Sequence, residues 1–213
     1  HVFVRLKPHI KALENITSQK LRIIEFGADR GSALTNELTE LDASFVITCF
    51  NLEDVSSLRA AVIEENMEVT VRQADVLNFE GRYDLVLMKS VLGGVFRKNE
   101  SKIDDVEALI EKICSYHLTS GGILVSLDNG ESVLERIMNN FGARKNGWRF
   151  FKKDQLGADY QFTFGVLSAF SFATRLGFIG RWLEECIFYL DFLLSGIFKS
   201  KPTVIGSVFK SRK

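Results

Sequence analysis

Three cysteines are few for a chain of 213 residues, and Cys49, Cys114 and Cys186 each sit inside an apolar stretch. No two have the spacing of a metal-ligand pair, and an odd, scattered set makes no disulfide framework. They read as buried free thiols in a reducing compartment, so the expected location is cytoplasmic and no metal site is expected. An excess of one sign of charge is lacking too, with 27 Lys and Arg against 27 Asp and Glu. Nucleic-acid binders carry a basic stripe, and the only basic crowding here is the terminal "FKSRK". Neither RNA nor DNA is expected as a partner. Long hydrophobic runs are missing as well. The uncharged run between Asp159 and Arg175 is 15 residues, short of the roughly 20 that a membrane-spanning helix needs. The later "RWLEECIFYLDFLLSGIF" is interrupted by Glu184, Glu185 and Asp191. No transmembrane segment is expected. No signal-peptide pattern opens the chain, which starts at His1; whether a flap over a ligand precedes it stays open.

What is present is an alternation of strand and helix signals from Leu21 to Ser126. "LRIIEFG" reads as a strand, and "SALTNELTEL" places Leu34, Leu38 and Leu41 at helical spacing. "SFVITCF" is a second strand, and "LEDVSSLRAAVIEEN" a helix with Leu52, Val55, Leu58 and Val62 on one face. "EVTVRQADV" alternates with period two. "YDLVLMKS" is continuously apolar, as strands buried on both faces are. "IDDVEALIEKICSYHL" is a long helix that "TSGG" stops, and "GILVSLDN" is a fifth strand. The order predicts an α/β fold, a doubly wound, mostly parallel sheet with right-handed crossovers. After Glu131 a further helix is predicted over "ESVLERIMNNFG", and "PTVIGSVFK" is read as a last, antiparallel strand.

Ligands bind such sheets beyond the carboxyl ends of the strands, which places Glu25 to Gly31, Asn51, Asp75, Lys89 and Asp128 along one rim. Gly27 lets the chain bend and removes a side chain that would block a ligand. Gly31 stands where the next helix begins, and free N–H groups there attract an anion such as a carboxylate. Asn51 and Glu53 follow the second strand and can meet ribose hydroxyls. Asp75, followed by Val76 and Leu77, suits a flat base with an exocyclic amine. A tight turn needing no ligand explains the two glycines equally well, and an acid such as Asp75 is ordinarily a turn cap. A dinucleotide fingerprint would need Gly-x-Gly-x-x-Gly, and position 29 is Asp.

Taken in order, "IIEFGADRG", "CFNLED", "QADVLNF", "YDLVLMKSVLGGV" and "LTSGGILVSLDN" resemble the class I S-adenosylmethionine-dependent methyltransferases from Leu21 to about Asn129. The resemblance implies that the cofactor is S-adenosylmethionine. It implies contacts from Glu25, Gly27, Ala28, Asp29, Gly31, Asn51, Leu52, Asp75, Val76 and Lys89. Asp29 stands where the family's middle glycine is usual, and Asn51 where an acid is usual. The region after the fourth strand, where the family often has His, shows Lys89, Ser90 and two glycines.

Methyl transfer from a sulfonium is an in-line displacement that positioning and desolvation can drive. Asp128, leaving the fifth strand, is the first candidate for a substrate-facing acid or base; capping of the helix near Glu131 is its alternative. Lys89 is the second, to orient an anionic substrate or the cofactor carboxylate, against the role of a solvated lysine. His117 and His9 read as structural, His117 interacting with the C-terminus of its own helix.

Twelve of the 18 phenylalanines follow residue 140. The expected organisation is one methyltransferase-like domain over 1–213, with a cofactor core at 21–129 and an aromatic-rich, helical elaboration at 142–200. That elaboration is open to four readings: plain core, lid, homodimer interface, or peripheral membrane contact. The expected function is methylation of a small-molecule acceptor, at oxygen, the acceptor being bulky or apolar. The alternative is a non-catalytic scaffold or partner protein.

Overall fold

In the computed structural model, residues 2–17, 19–28, 35, 38, 40–61, 68–131, 147–164 and 202–213 are described. Seven strands form one sheet: β1 (Leu21–Phe26), β2 (Ala43–Cys49), β3 (Glu68–Gln73), β4 (Tyr83–Lys89), β5 (Leu118–Asn129), β6 (Tyr160–Phe164) and β7 (Val204–Lys210). Their order is β3-β2-β1-β4-β5-β7-β6, mostly parallel with the C-terminal strand antiparallel. The chain divides into two compact units, one made of His1–Val91, Ile103–Ser126 and Val208–Lys213, the other of Leu92–Lys102 and Leu127–Ser207.

In the first unit the parallel ladder is in the register Ile23↔Phe45, Ile23↔Leu85 and Phe45↔Val69. From Tyr83 to Met88 every residue of β4 is buried, which is why its sequence shows no alternation. Helix α1 (Val2–Ile16) buries Leu6, Ile10 and Leu13, one stripe at helical spacing. Helix α2 (Asp54–Ala61) sets Leu58 into a cluster with Ile47, Cys49 and Val71, against which Val55 packs. Leu52, expected on that face, precedes the helix and is exposed, because the chain is still turning out of β2 there.

Helix α4 (Ile103–Lys112) buries Val106, Leu109 and Ile110. It does not run to the glycines as expected. It widens into a π-turn over Ile113–His117, closed by the Leu118 N–H on the Ile113 carbonyl. β5 begins at once, so "TSGG" lies inside a strand, with Gly121 at φ +78. The extra residue of the π-turn carries the chain directly into the sheet, and no glycine cap is needed.

In the second unit, short α3 (Val91–Val95) leads from Leu92 into a loop, and backbone bonds join Gly130 to Thr203 and Phe151 to Asn129. Phe151 is fully buried. β6 falls where a helical elaboration is expected. Its alternating "YQFTF" puts Phe162 against Gly206 of β7, where any side chain at 206 would collide with the ring. The helices expected over 32–41 and 131–142 lie mostly outside the described residues. So does the aromatic stretch 165–201, with its stripe of Trp182, Cys186, Leu190, Leu193 and Ile197.

Candidate functional site

The strand exits of the first unit fall into two pairs. At the exit of β1, Glu25 is fully buried and its Oε2 accepts the Thr35 N–H at 2.8 Å. Its backbone carbonyl accepts the Thr48 hydroxyl, also at 2.8 Å. The acid therefore ties β1 to Thr35, and a buried backbone N–H is satisfied as it must be. Gly27 has φ +80, and a Cβ there would lie 2.5 Å from the Lys89 carbonyl oxygen and 2.7 Å from Val91 Cγ2. Both the turn and the close approach of two stretches of backbone require glycine. Across from it, Ser90 holds φ +57 between β4 and α3, a conformation that costs a non-glycine residue about 1–3 kcal/mol. Ala28 is fully buried and Lys89 half-buried. Asp29 and Gly31 lie outside the described residues.

At the exits of β2 and β3 the picture is reversed. Asn51 is exposed, its Nδ2 donating to Asp54 Oδ2 at 3.2 Å and its carbonyl accepting the Asp54 N–H at 3.2 Å. The backbone ladder runs on past the strands, with Ala74 N–H on the Cys49 carbonyl at 3.1 Å and the Gln73 amide on the Phe50 carbonyl at 2.8 Å. Asp75 is exposed, and its Oδ1 accepts the Leu77 N–H at 2.9 Å in an Asx turn. Around these polar groups Phe50 is 72% exposed, Leu52 68% and Leu77 43%. Val76 is buried beneath. A solvent-facing carboxylate and amide bordered by bare apolar side chains fit the ribose and flat base of a nucleoside. The exposed apolar side chains here are Leu52, Leu77 and Phe50, while Val76 serves the core.

Asp128, at the end of β5 in the second unit, is 3% exposed and its Oδ1 accepts the Gly93 N–H at 3.1 Å. Around it the unit is held by backbone. Arg149 N–H meets the Gly93 carbonyl at 2.8 Å, and a side chain at Gly93 would collide with the Arg149 carbonyl. The Arg149 guanidinium binds the Phe96 carbonyl at 3.0 Å and Ser101 through both its carbonyl, at 2.5 Å, and its hydroxyl, at 3.2 Å. The Trp148 ring lies 3.5 Å from where a Gly94 Cβ would stand. Asp128 works here as a buried acceptor for a backbone N–H of α3. No group of three or more His, Cys, Asp or Glu among the described residues could hold a metal ion.

His117 does not bond its own helix end. Its Nδ1 lies 3.1 Å from the Gly81 carbonyl, and its ring stacks on Phe79 at a centroid distance of 4.2 Å. Sequence reasoning missed this partner, since a contact 36 residues away leaves no local signal. The exposed Phe50 was missed as well, although an aromatic residue next to Asn51 at a strand exit was a usable hint.

No protein-family model matches the chain, and no curated protein matches it. Solved structures do. The magnesium protoporphyrin IX methyltransferase of Synechocystis PCC 6803, solved with bound SAH, is similar at 18% identity over 73% of this chain and 69% of its own, with a TM-score of 0.52. A phosphoethanolamine N-methyltransferase of Haemonchus contortus, in complex with S-adenosyl-L-methionine, is similar at 12% identity over 97% of this chain and 53% of its own, TM-score 0.57. An S-adenosylmethionine-dependent methyltransferase of Clostridium acetobutylicum is similar at 17% identity over 75% of this chain and 59% of its own, TM-score 0.50. The chain thus spans little more than half the length of several solved chains that it matches. Its fold is that of the class I S-adenosylmethionine-dependent methyltransferases. No helix among the described residues is long and apolar enough to cross a membrane.

Proposed function

We propose that the chain binds S-adenosylmethionine and transfers its methyl group to a small-molecule acceptor, at oxygen, with a bulky or apolar acceptor as the working expectation. The observation that carries this reading is the rim at the exits of β2 and β3. Asn51 and Asp75 face solvent there among exposed Leu52, Leu77 and Phe50, beyond the carboxyl ends of parallel strands, where such sheets bind ligands. Asp75 would accept from the exocyclic amine of the base, and Asn51 would meet the ribose hydroxyls. Glu25 and Gly27 act one step back: they fix the exit of β1 against Thr35 and against the Lys89 carbonyl. When bound, the cofactor supplies an electrophilic methyl group on a sulfonium.

With Asp128 buried and accepting a backbone N–H, the proposal assigns it to holding Gly93 in place and assigns no general base. Lys89 remains the residue proposed to orient an anion. Positioning and exclusion of water carry the transfer. A second reading, a non-catalytic scaffold, draws on Asp29 and Asn51, which replace the glycine and acid that the resemblance calls for.

Calorimetric titration with S-adenosylmethionine and S-adenosylhomocysteine, with NAD as control, tests the proposal. Micromolar binding of the first two, lost in Asp75→Ala, is expected. No binding of either would overturn the enzyme reading in favour of the scaffold.

A further inference from the structure

The loop that carries Asp75 is gripped from the far end of α4. Lys112, the last residue of α4, donates through Nζ to the Leu77 carbonyl at 2.8 Å. Five residues on, His117 meets the Gly81 carbonyl at 3.1 Å. That carbonyl can only accept, so Nδ1 of His117 carries the proton. On an α-helix, residues five apart point about 140° away from each other. The wider i→i+5 turn from Ile113 to Leu118 brings them towards one face, where both reach the same loop. The loop is shaped to receive them. Gly81 holds φ +99 against the Tyr83 ring, and the Tyr83 hydroxyl donates to the Glu80 carbonyl at 3.2 Å. Between the two grips, buried Phe79 stacks on His117 at 4.2 Å and meets Phe26 edge-on at 4.8 Å. Phe26 is the residue before Gly27, so one contact chain joins the π-turn to both the Asp75 loop and the glycine turn.

We propose that His117 and Lys112, brought onto one face by the π-turn, are positioning residues that hold the Asp75 loop in the shape that receives the base of the cofactor. The assignment rests on the cofactor reading above. Neither residue touches the ligand. They act through the Leu77 and Gly81 carbonyls, which fix the Asx turn of Asp75 from its outer side.

Two measurements on the full chain test it. Hydrogen exchange of the ligand-free protein reads the amides of Leu77 and Asn78, and calorimetry reads S-adenosylhomocysteine affinity. In His117→Ala and Lys112→Ala both amides should exchange faster and affinity should fall between about threefold and tenfold, the equivalent of one hydrogen bond. His117→Gln, which keeps a donor, should recover most of both. Val106→Ala, which trims the buried face of α4, should lower the melting temperature and leave both readouts at wild-type values. Wild-type exchange at Leu77 and Asn78 in His117→Ala overturns the inference, as does an equal effect from Val106→Ala. Should the wild type fail to bind S-adenosylhomocysteine, the cofactor reading falls by itself, and unchanged exchange would sink the anchoring claim separately.

Discussion

The inner and outer strand exits of the first unit use the same kinds of residue for opposite purposes. At β1 and β4 an acid, a glycine and a serine are each held fast. Glu25 is fully buried, Gly27 lies against the Lys89 carbonyl and Ser90 sits at positive φ. At β2 and β3 an amide, an acid and three large apolar side chains stand in solvent. β1 and β4 pair with each other inside the sheet, so their exits are crowded and their polar groups are consumed by backbone, whereas β3 is the edge strand and β2 lies beside it. An outer exit has room, and what it displays is available to a ligand. Substitutions at the inner pair should therefore damage the fold first. Those at the outer pair should damage binding alone.

The largest effect is expected at Gly27. Alanine there would meet a carbonyl oxygen at 2.5 Å and hold φ +80, a combination that costs roughly 2–5 kcal/mol. Thermal unfolding should show a drop of several degrees, with cofactor binding lost alongside. Unchanged stability with lost binding would break the comparison, since Gly27 would then act as a ligand cradle only. Glu25→Ala comes next. It leaves the buried Thr35 N–H without its acceptor, a loss of about 1–3 kcal/mol, whereas Glu25→Gln keeps a carbonyl oxygen and should lose less. Urea unfolding of the pair measures the difference. Equal losses would mean that the charge of Glu25, and not its acceptor, does the holding.

Asp75→Ala is the counterpart on the outer side. It removes one exposed Asx-turn bond, so stability should change by under about 1 kcal/mol. Affinity for S-adenosylhomocysteine should fall by an order of magnitude or more, as expected for losing a hydrogen bond to a charged group. A large stability loss with intact binding would reverse the roles assigned to the two halves of the rim.

That division also marks what the sequence could tell. Strand identity was legible wherever burial imposed a pattern: "YDLVLMK" showed no alternation because every residue to Met88 is buried, and "EVTVRQ" alternated because it is an edge strand, exposed on one face. The rim residues were legible by position, since a parallel sheet puts its strand exits on one side. Their work was not. Whether a carboxylate is buried on an N–H, as in Glu25 and Asp128, or faces solvent, as in Asp75, depends on neighbours far off in sequence. Thr35 reaches Glu25 across ten residues and Gly93 reaches Asp128 across 35. The π-turn was illegible for a related reason. Glycines after a helix signal its end, and only the pull of β5 into the sheet explains why this helix stops one residue early, in a wider turn. β6 was lost among aromatics because five residues of alternation are a weak signal inside an apolar stretch.

The smallest effect is expected at the opposite ends of the strands, where neither half of the rim is involved. Lys20, just before β1, bonds Glu68 at the start of β3 at 2.9 Å, with both side chains well exposed. That hydrogen bond, helped by the nearby charges of Glu68 and Asp42, raises the lysine pKa above its ordinary value. A raised folded-state pKa means that the ammonium is favoured by folding. The contribution is therefore present in full below the unfolded-state pKa and disappears as the pH climbs through the folded-state one. Lys20→Met should lower the urea midpoint barely at all, the loss should shrink further in high salt, and it should vanish in strongly alkaline buffer. Cofactor affinity should not move, which makes this variant the baseline for every rim substitution. A loss that persists at high pH would show that Lys20 acts through packing of its methylene stem, and the strap between β1 and β3 would then be apolar.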